Sequence, residues 1–228
     1  MRVSTPLNQE NVKTHFTYSK WKYLLVLAAL LLVWMVYDMT RPKPQETERI
    51  DLYVQSNTAS SEVINAFLKP LWESAAPDMK LVDSVVLTTA DETSANMQLT
   101  TYIFVGEGDI YFLTDSYYKD VAASGALLPL EQLVADGRIR VDETTDLQKA
   151  YVTVVTRHDD QGSPASTEKH LYGIPLDNYF GFMKGMQLDN RGMYACILAN
   201  NRNDENVIPF LDALLQAGQG EKEDWITN

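Results

Sequence analysis

Residues 106–134 read GEGDIYFLTDSYYKDVAASGALLPLEQLV, and they contain the clearest strand–helix unit in the chain. Residues 109–113 are almost wholly apolar, which predicts a buried strand. Asp115 stands where the N-cap of a helix over residues 116–123 is expected, and Gly125 stands where the C′ glycine is expected. A buried strand followed at once by a helix is typical of α/β domains.

Strand and helix patterns alternate on the N-terminal side of this unit. Residues 50–55 and 81–88 have strand patterns, and residues 59–74 and 91–104 have helix patterns. Pro70 is expected to kink or shorten the first of these helices. Because strand–helix–strand connections are right-handed crossovers, this order predicts parallel strands with helices on the faces of the sheet.

The C-terminal half adds antiparallel strands to this plan. Residues 151–156 and 169–175 have the pattern of a hairpin, residues 193–199 that of a strand, and residues 203–217 that of a helix. We therefore predict an α/β fold: a single three-layer α/β domain over residues 50–218 with a mostly parallel mixed sheet.

The charge of the chain is unevenly distributed. The 228 residues include 19 Lys and Arg against 31 Asp and Glu, a formal net charge of −12. Residues 1–44 contain six bases and two acids, a net of +4, so residues 45–228 hold 13 bases and 29 acids, a net of −16. Such acidity disfavours nucleic acid as a partner, because that affinity comes mainly from Lys and Arg at phosphates.

Residues 21–39 are predicted to form one transmembrane helix. Residues 24–36, LLVLAALLLVWMV, have no polar side chain, and aromatic residues such as Trp21 and Trp34 stand at both ends like interfacial belts. A buried core helix and a cleaved signal peptide are the alternatives. A cleavage site needs small residues after the apolar stretch, and none follow it. An uncleaved signal-anchor, inserted in the lipid bilayer, is therefore favoured.

The basic residues around this helix predict its orientation. Four lie on the N-terminal side and two on the C-terminal side, and the more basic side stays in the cytoplasm. We expect a cytoplasmic tail over residues 1–20, a stalk over 40–49, an extracytoplasmic domain over 50–218 and a polar tail over 219–228. The protein would then lie in the cell membrane as a single-pass chain.

The sequence contains little that suggests catalysis. The pair Asp142-Glu143 is interpreted as solvated loop charge, and Cys196, the one cysteine, lies in an apolar run where it is expected to be buried. His158 and His170 flank the predicted hairpin loop, but two histidines without a third ligand are weak evidence for a metal. We predict no enzyme activity, no cofactor and no metal, with a hydrolase as the remote alternative.

Ligands of open α/β sheets bind outside the carboxyl ends of the strands. Six residues that follow predicted strand ends could bind a small polar solute such as a sugar by hydrogen bonding and ring stacking. They are Asn57, Thr58, Asp115, Asp177, Asn178 and Tyr179. The alternative is that these residues cap turns and fill the core.

Three segments resemble, in consistent order, bacterial extracellular solute-binding proteins of the ABC-type, sugar-binding-like family. Residues 106–134 resemble its buried strand, helix and Pro-Leu turn; residues 171–178, LYGIPLDN, resemble its Tyr-Gly-Ile-Pro crossover. Residues 196–215, CILANNRNDENVIPFLDALL, resemble its late strand, Asn-rich cap and helix. The resemblance implies one lobe of a periplasmic-binding-protein-like fold.

The chain also departs from that family, whose members resemble two lobes that close on a ligand. The segments 171–178 and 196–215 lie so close in sequence that most of the second lobe is missing. The resemblance thus implies a truncated, single-lobe, membrane-anchored relative. The favoured hypothesis is an accessory or interaction module of a transport or surface system, with a permease or other membrane protein as partner. The alternative is a weak binder of a carbohydrate or other small polar solute.

Overall fold

The structure, a computed structural model, divides into two compact units, Met1–Lys43 and Pro44–Asn228. It describes residues 9–40, 44–88, 91–158, 164–200 and 202–220.

The first unit contains one long helix, α1 (Gln9–Thr40), of 32 residues. Its segment Lys20–Met39 has a mean hydropathy of 1.8 and is long and apolar enough to cross a membrane, as judged by length and composition. The predicted transmembrane span lies within this segment. This length and composition make α1 a candidate membrane anchor. A signal sequence near the N-terminus can have the same length and composition.

The second unit is built from short strands and helices. Its strands are β1 (Arg49–Gln55), β2 (Leu81–Leu87), β3 (Ile110–Thr114), β4 (Tyr151–His158), β5 (Pro164–Leu171), β6 (Gly173–Pro175) and β7 (Met193–Ile197). Its helices are α2 (Ser61–Ala75), α3 (Glu92–Val105), α4 (Asp115–Ala123), α5 (Glu131–Ala135), α6 (Phe180–Gly185) and α7 (Asp204–Gly218). Short 3₁₀ helices cover Glu46–Glu48 and Leu147–Ala150.

Five strands form the main sheet, in the order β2-β1-β3-β7-β6. Strand β1 pairs in parallel with β2 and β3, whereas β7 is antiparallel to both β3 and β6. Four of the five strands therefore run in the same direction, and β7 alone runs against them. This topology confirms the predicted mostly parallel mixed sheet.

Helices α2, α6 and α7 cover one face of the sheet. Phe112 of β3 points to this face, where its ring centroid lies 5.4 Å from that of Phe182 in α6. The Phe182 ring lies 6.1 Å from Phe67 of α2 and also packs against Gly218 at the end of α7. One buried ring thus joins the sheet to all three helices.

Helices α3 and α4 cover the opposite face. Tyr111 follows the alternation of β3 to this face and stacks on Tyr53 of β1 at 5.1 Å, and Tyr53 lies 5.0 Å from Tyr102 of α3. Tyr194 of β7 stacks on Tyr118 of α4 at 4.2 Å. The sheet therefore lies between two helical layers, as the three-layer prediction requires.

The predicted hairpin is only partly right. Strands β4 and β5 form a separate two-stranded sheet, and β6 leaves them to join the main sheet beside β7. The strand predicted over residues 169–175 is thus two strands that separate at Tyr172. Gly173 allows β6 to pass close to α4, because a Cβ there would lie 2.9 Å from the Tyr118 ring and 3.0 Å from Cys196 Sγ.

The N-cap expected for α4 was wrong, and the shortening expected for the first of the predicted helices does not occur. The N-cap of α4 is Thr114, and Asp115 is the first helical residue; its carboxylate pairs with Lys119 at 2.6 Å, which lowers the pKa of Asp115. Helix α2 continues through Pro70 to Ala75 and is not shortened. Burial of Ile64 and Leu68 against the sheet stabilises α2 despite the missing proline N–H.

Gly108 provides a test of how tightly the sheet and its tyrosines pack. We expect Gly108→Ala to lower the free energy of unfolding by about 2–4 kcal/mol, since it combines backbone strain at φ 79° with overpacking. The added Cβ would lie 2.6 Å from two Tyr53 ring atoms and 2.9 Å from the Tyr111 hydroxyl. The measurement is urea unfolding of the full-length chain in detergent.

The matched control is Gly106→Ala. Gly106 has a similar φ of 72°, but a Cβ there would meet nothing within 4 Å. The decrease in the free energy of unfolding should therefore reflect backbone strain alone, about 1 kcal/mol. Equal losses for the two variants would show that the tyrosine contacts are not tight.

Candidate functional site

The carboxyl ends of β1, β3 and β6 meet at one edge of the main sheet because these strands run in the same direction. We name this the strand-end edge. Asn57 and Thr58 follow β1, Asp115 follows β3, and Asp177 and Asn178 follow β6. Topology therefore places five of the six predicted ligand-binding residues along a single edge.

Hydrogen bonds between neighbouring strands hold this edge together. The Gln55 side-chain oxygen at the end of β1 accepts from the Thr114 backbone N–H at 2.8 Å and from its hydroxyl at 3.1 Å. The Thr58 hydroxyl accepts from the Asp189 backbone N–H at 3.4 Å, and the Asn57 amide oxygen accepts from the Thr88 hydroxyl at 3.0 Å. Both predicted residues thus have partners within the protein.

Asp177 and Asn178 likewise tie two other segments to β6. Asp177 accepts from the Gly192 backbone N–H at 2.8 Å, just before β7. Asn178 donates to the Thr144 carbonyl at 2.9 Å and to its hydroxyl at 3.1 Å. The Lys149 ammonium lies 3.9 Å from the second Asp177 oxygen. These contacts are those of residues that cap turns, the alternative that the sequence left open.

Asp115 is bound in the same way. One carboxylate oxygen accepts from the Tyr194 hydroxyl at 2.9 Å, and the other accepts from the Lys119 ammonium. Burial, together with this hydrogen bond, raises the pKa of Tyr194 well above its usual range. The bond links α4 to β7 next to the end of β6.

Tyr179 does not reach the strand-end edge as a binding group. Its side chain is fully buried, its ring centroid lies 5.9 Å from that of Phe182, and its hydroxyl accepts from the Asp142 backbone N–H at 3.2 Å. Burial raises the pKa of Tyr179. The prediction that this ring stacks on a ligand was therefore wrong, because α6 folds back onto the sheet and encloses it.

A small polar cavity lies beside Asp177 and Asn178, with a volume of about 90 Å³. Its lining residues are Thr144, Thr145, Asp146, Lys149, Pro175, Asp177 and Asn178. Small-molecule sites usually enclose about 300–1,000 Å³, so this cavity has room for a few water molecules but not for a sugar.

A larger and more open cavity of about 420 Å³ adjoins the first and shares Thr145 with it. Its other lining residues are Val134, Gly137, Ile139, Arg140, Val141, Asp142, Glu143 and Leu147. The sequence analysis interpreted only the Asp142-Glu143 pair of this segment, as solvated loop charge. The alternation of Ile139 and Val141 with polar neighbours was the available signal, since it places apolar side chains on one side of the segment.

Two charged side chains that line this larger cavity already have partners within the protein. Arg140 forms a salt bridge with Asp212 of α7 at 2.6 Å. Asp142 accepts from the side chain and the backbone N–H of Thr144, which lowers the pKa of Asp142. The charges here therefore hold the 140–144 segment in place.

His170 pairs with glutamates. Its Nδ1 lies 2.5 Å from Glu131 and its Nε2 lies 3.1 Å from Glu168, and these two contacts raise the pKa of His170. The side chain of His158, the other half of the predicted histidine pair, lies outside the described residues. Within the described ranges, no group of three or more His, Cys, Asp or Glu side chains could hold a metal.

The chain is similar to several solved structures of solute-binding proteins. No protein-family model matches it, and no curated protein matches it. It is similar to an extracellular solute-binding protein family 1 structure from Alicyclobacillus acidocaldarius, at 22% identity and a TM-score of 0.39, covering 59% of this chain and 28% of that one.

Two further structures match at comparable levels. An N-glycan transport solute binding protein from Streptococcus pneumoniae has 19% identity and a TM-score of 0.39, covering 60% of this chain and 26% of that one. An ABC substrate-binding protein from Listeria monocytogenes, in complex with cycloalternan, has 21% identity and a TM-score of 0.35, covering 55% and 28%. The chain spans about a quarter of the length of these proteins. The predicted resemblance to solute-binding proteins is confirmed.

Proposed function

We propose that the chain is a single-pass, membrane-anchored extracytoplasmic protein whose α/β domain is an accessory interaction module of a transport or surface system. The observation that carries this proposal is the strand-end edge, where the predicted binding residues bond to other segments of the domain, and where Asp177 and Asn178 line a cavity of only about 90 Å³. Among the described residues, the cavity that Asp177 and Asn178 line is smaller than a sugar-binding site, and this favours contact with another protein over enclosure of a solute.

The anchoring part of the proposal is supported by α1 and by the charges around it. The Lys20–Met39 segment has the length and hydropathy of a membrane span, and four bases precede its apolar run over residues 24–36, against two in residues 37–44. Residues 1–20 would then be cytoplasmic, residues 40–49 would form the stalk, and the α/β domain would lie outside. A permease or another membrane protein is the proposed partner.

The proposal includes no catalytic role. Cys196 is fully buried, and burial raises the pKa of its thiol well above the usual range, so it is not a reactive nucleophile. A weak binder of a small polar solute is the second candidate function. It is favoured by the polar side chains of Lys149, Asp177 and Asn178 around the small cavity.

A ligand screen on the full-length protein in detergent separates the two candidates. We expect sugars and oligopeptides at millimolar concentration to leave the Tm unchanged, because a ligand raises stability only if it binds the folded state. A solute that raises the Tm of the wild type but not of Asn178→Ala would instead establish the solute-binding function. Pull-down from membranes should recover a permease or other membrane protein, whereas recovery of the chain alone would count against an accessory role.

A further inference from the structure

Helix α3 presents an apolar face to solvent. Phe104 is 89% exposed, Met97 67% and Val105 58%, values unusual for large apolar side chains. With Thr101, which is also exposed, they recur at the spacing that places residues on one side of a helix. We name these four residues the α3 face.

The α3 face carries no unsatisfied hydroxyl and no charge. The Thr101 hydroxyl donates to the Met97 carbonyl at 2.9 Å, so this polar group needs no outside partner. Residues 93–106 contain no Asp, Glu, Lys or Arg, although residues 45–228 carry a net charge of −16. Two copies of so acidic a domain repel each other over most of their surface, and the α3 face is a part of that surface that carries no charge itself.

The residue order on the α3 face is self-complementary. If two copies of α3 pack antiparallel about a two-fold axis near Thr101, Met97 of each copy lies opposite the partner's Phe104. A thioether against an aromatic ring is a favourable contact, and the small Thr101 near the axis allows the helices to approach closely. The bilayer surface fits this face less well, because α3 has no Lys or Arg for anionic headgroups.

We propose that the α3 face binds the same face of a second copy of this chain. Stable interfaces bury about 1,200–2,000 Å² in total, and four side chains from each copy provide less, so the contact is weak between free molecules. Anchoring in a common membrane raises the effective concentration of the copies and makes a weak contact sufficient. In this respect the inference rests on the proposed anchoring.

Cysteine crosslinking in membranes that contain the full-length chain tests the contact. The natural cysteine, Cys196, is buried, so an introduced cysteine reports alone. Thr101→Cys should form a disulfide-linked dimer of twice the chain's mass on mild oxidation, because residues near a two-fold axis come within disulfide range. Glu73→Cys, at an exposed site on α2, measures random collisions, and we expect about tenfold less crosslinking there.

A second crosslinking experiment places a charge on the α3 face. In the Thr101→Cys background, Phe104→Glu should lower the crosslinked fraction by about tenfold, because it places two like charges in an apolar contact. Phe104 is almost fully exposed, so the variant should keep the wild-type Tm. Gln132→Glu adds the same charge at an exposed site on α5 and should leave crosslinking unchanged.

Three results would overturn the proposal. They are crosslinking of Thr101→Cys at the level of Glu73→Cys, crosslinking that survives Phe104→Glu, and an adduct with a different protein in place of the dimer. None of them alters the outcome of the ligand screen, so this inference can fail while the proposed function stands. A failure of membrane anchoring shows itself separately, as loss of the chain from the membrane fraction.

Discussion

Replacing Asp109 by Asn is expected to raise the free energy of unfolding by about 2 kcal/mol at pH 8 and to change it little at pH 4. Asp109 is only 3% exposed, and burial raises its pKa to about 6. One carboxylate oxygen accepts from the Asp51 backbone N–H at 2.9 Å; among the described residues, the other oxygen has no hydrogen-bond partner. A buried carboxylate with one unsatisfied oxygen is costly once it is ionised.

The direction of the pH dependence follows from the two pKa values of Asp109. Its folded pKa of about 6 lies above the ordinary value of 3.8, so the folded chain retains a proton that the unfolded chain has lost. The stability linked to this proton is present at low pH and is lost as pH rises through about 6. A difference of roughly 2 in pKa corresponds to about 3 kcal/mol of stability. The Asn variant should gain less than this, because its neutral side chain accepts a weaker hydrogen bond from the Asp51 N–H than a carboxylate does.

Urea unfolding of the full-length chain between pH 4 and pH 8 measures the effect. The difference between variant and wild type should grow between about pH 4 and pH 6 and level off above it. Both proteins keep Asp51, whose pKa is also raised by burial and whose charge contributes to the raised pKa of Asp109. Asp136→Asn, on the surface after α5, is the control, and its effect on the free energy of unfolding should be small. A flat difference for Asp109→Asn would show that the group is ionised without penalty.

The order of strands and helices could be predicted because local sequence carries it. Strand β3 is apolar along most of its length and is buried on both faces of the sheet, so a continuous apolar run marked it to within one residue. Helices α2 and α7 were predicted from the same kind of local signal, the hydrophobic periodicity of their sequences. The parallel direction of β1, β2 and β3 followed from the crossover rule. This direction places the carboxyl ends of these strands together at the strand-end edge.

The division of residues 169–175 into β5 and β6 could not be predicted from local sequence. It depends on Gly173 passing between Tyr118 and Cys196, which lie 55 residues before it and 23 residues after it in the chain. Such a close approach becomes visible only when the helix and the sheet are in place. The pairing of His170 with Glu131 is long-range in the same sense, across 39 residues.

The candidate site was predictable in position but not in chemistry. Asn57, Asp115 and Asp177 lie at the same edge because strand direction places them there. Their partners Thr88, Tyr194 and Gly192 come from other segments, so the sequence could not show that these side chains bond within the protein. Tyr179 was the larger error, since an aromatic residue beside polar ones can either stack on a ligand or fill the core.

Phe182→Ala is expected to lower the free energy of unfolding by about 4 kcal/mol, which is a large share of the stability of an ordinary domain. Phe182 is fully buried, and its ring contacts Phe67, Phe112 and Tyr179, which belong to α2, β3 and the turn before α6. Truncation would leave a cavity where these elements meet. The residues around it cannot all move inward, because the sheet holds Phe112 through backbone pairing on both sides.

Phe104→Ala makes the same chemical change at the most exposed large apolar side chain of α3. Because Phe104 is 89% exposed, its truncation should change the free energy of unfolding by no more than about 0.5 kcal/mol. Urea unfolding of both variants in detergent, at a concentration where copies do not associate, therefore compares burial at constant chemistry. Similar losses for the two variants would mean that Phe104 packs within its own domain, and it would then be unavailable to a second copy. A large loss for Phe182→Ala alone would show that the core closes around α6 while the α3 face contributes nothing to the stability of a single copy.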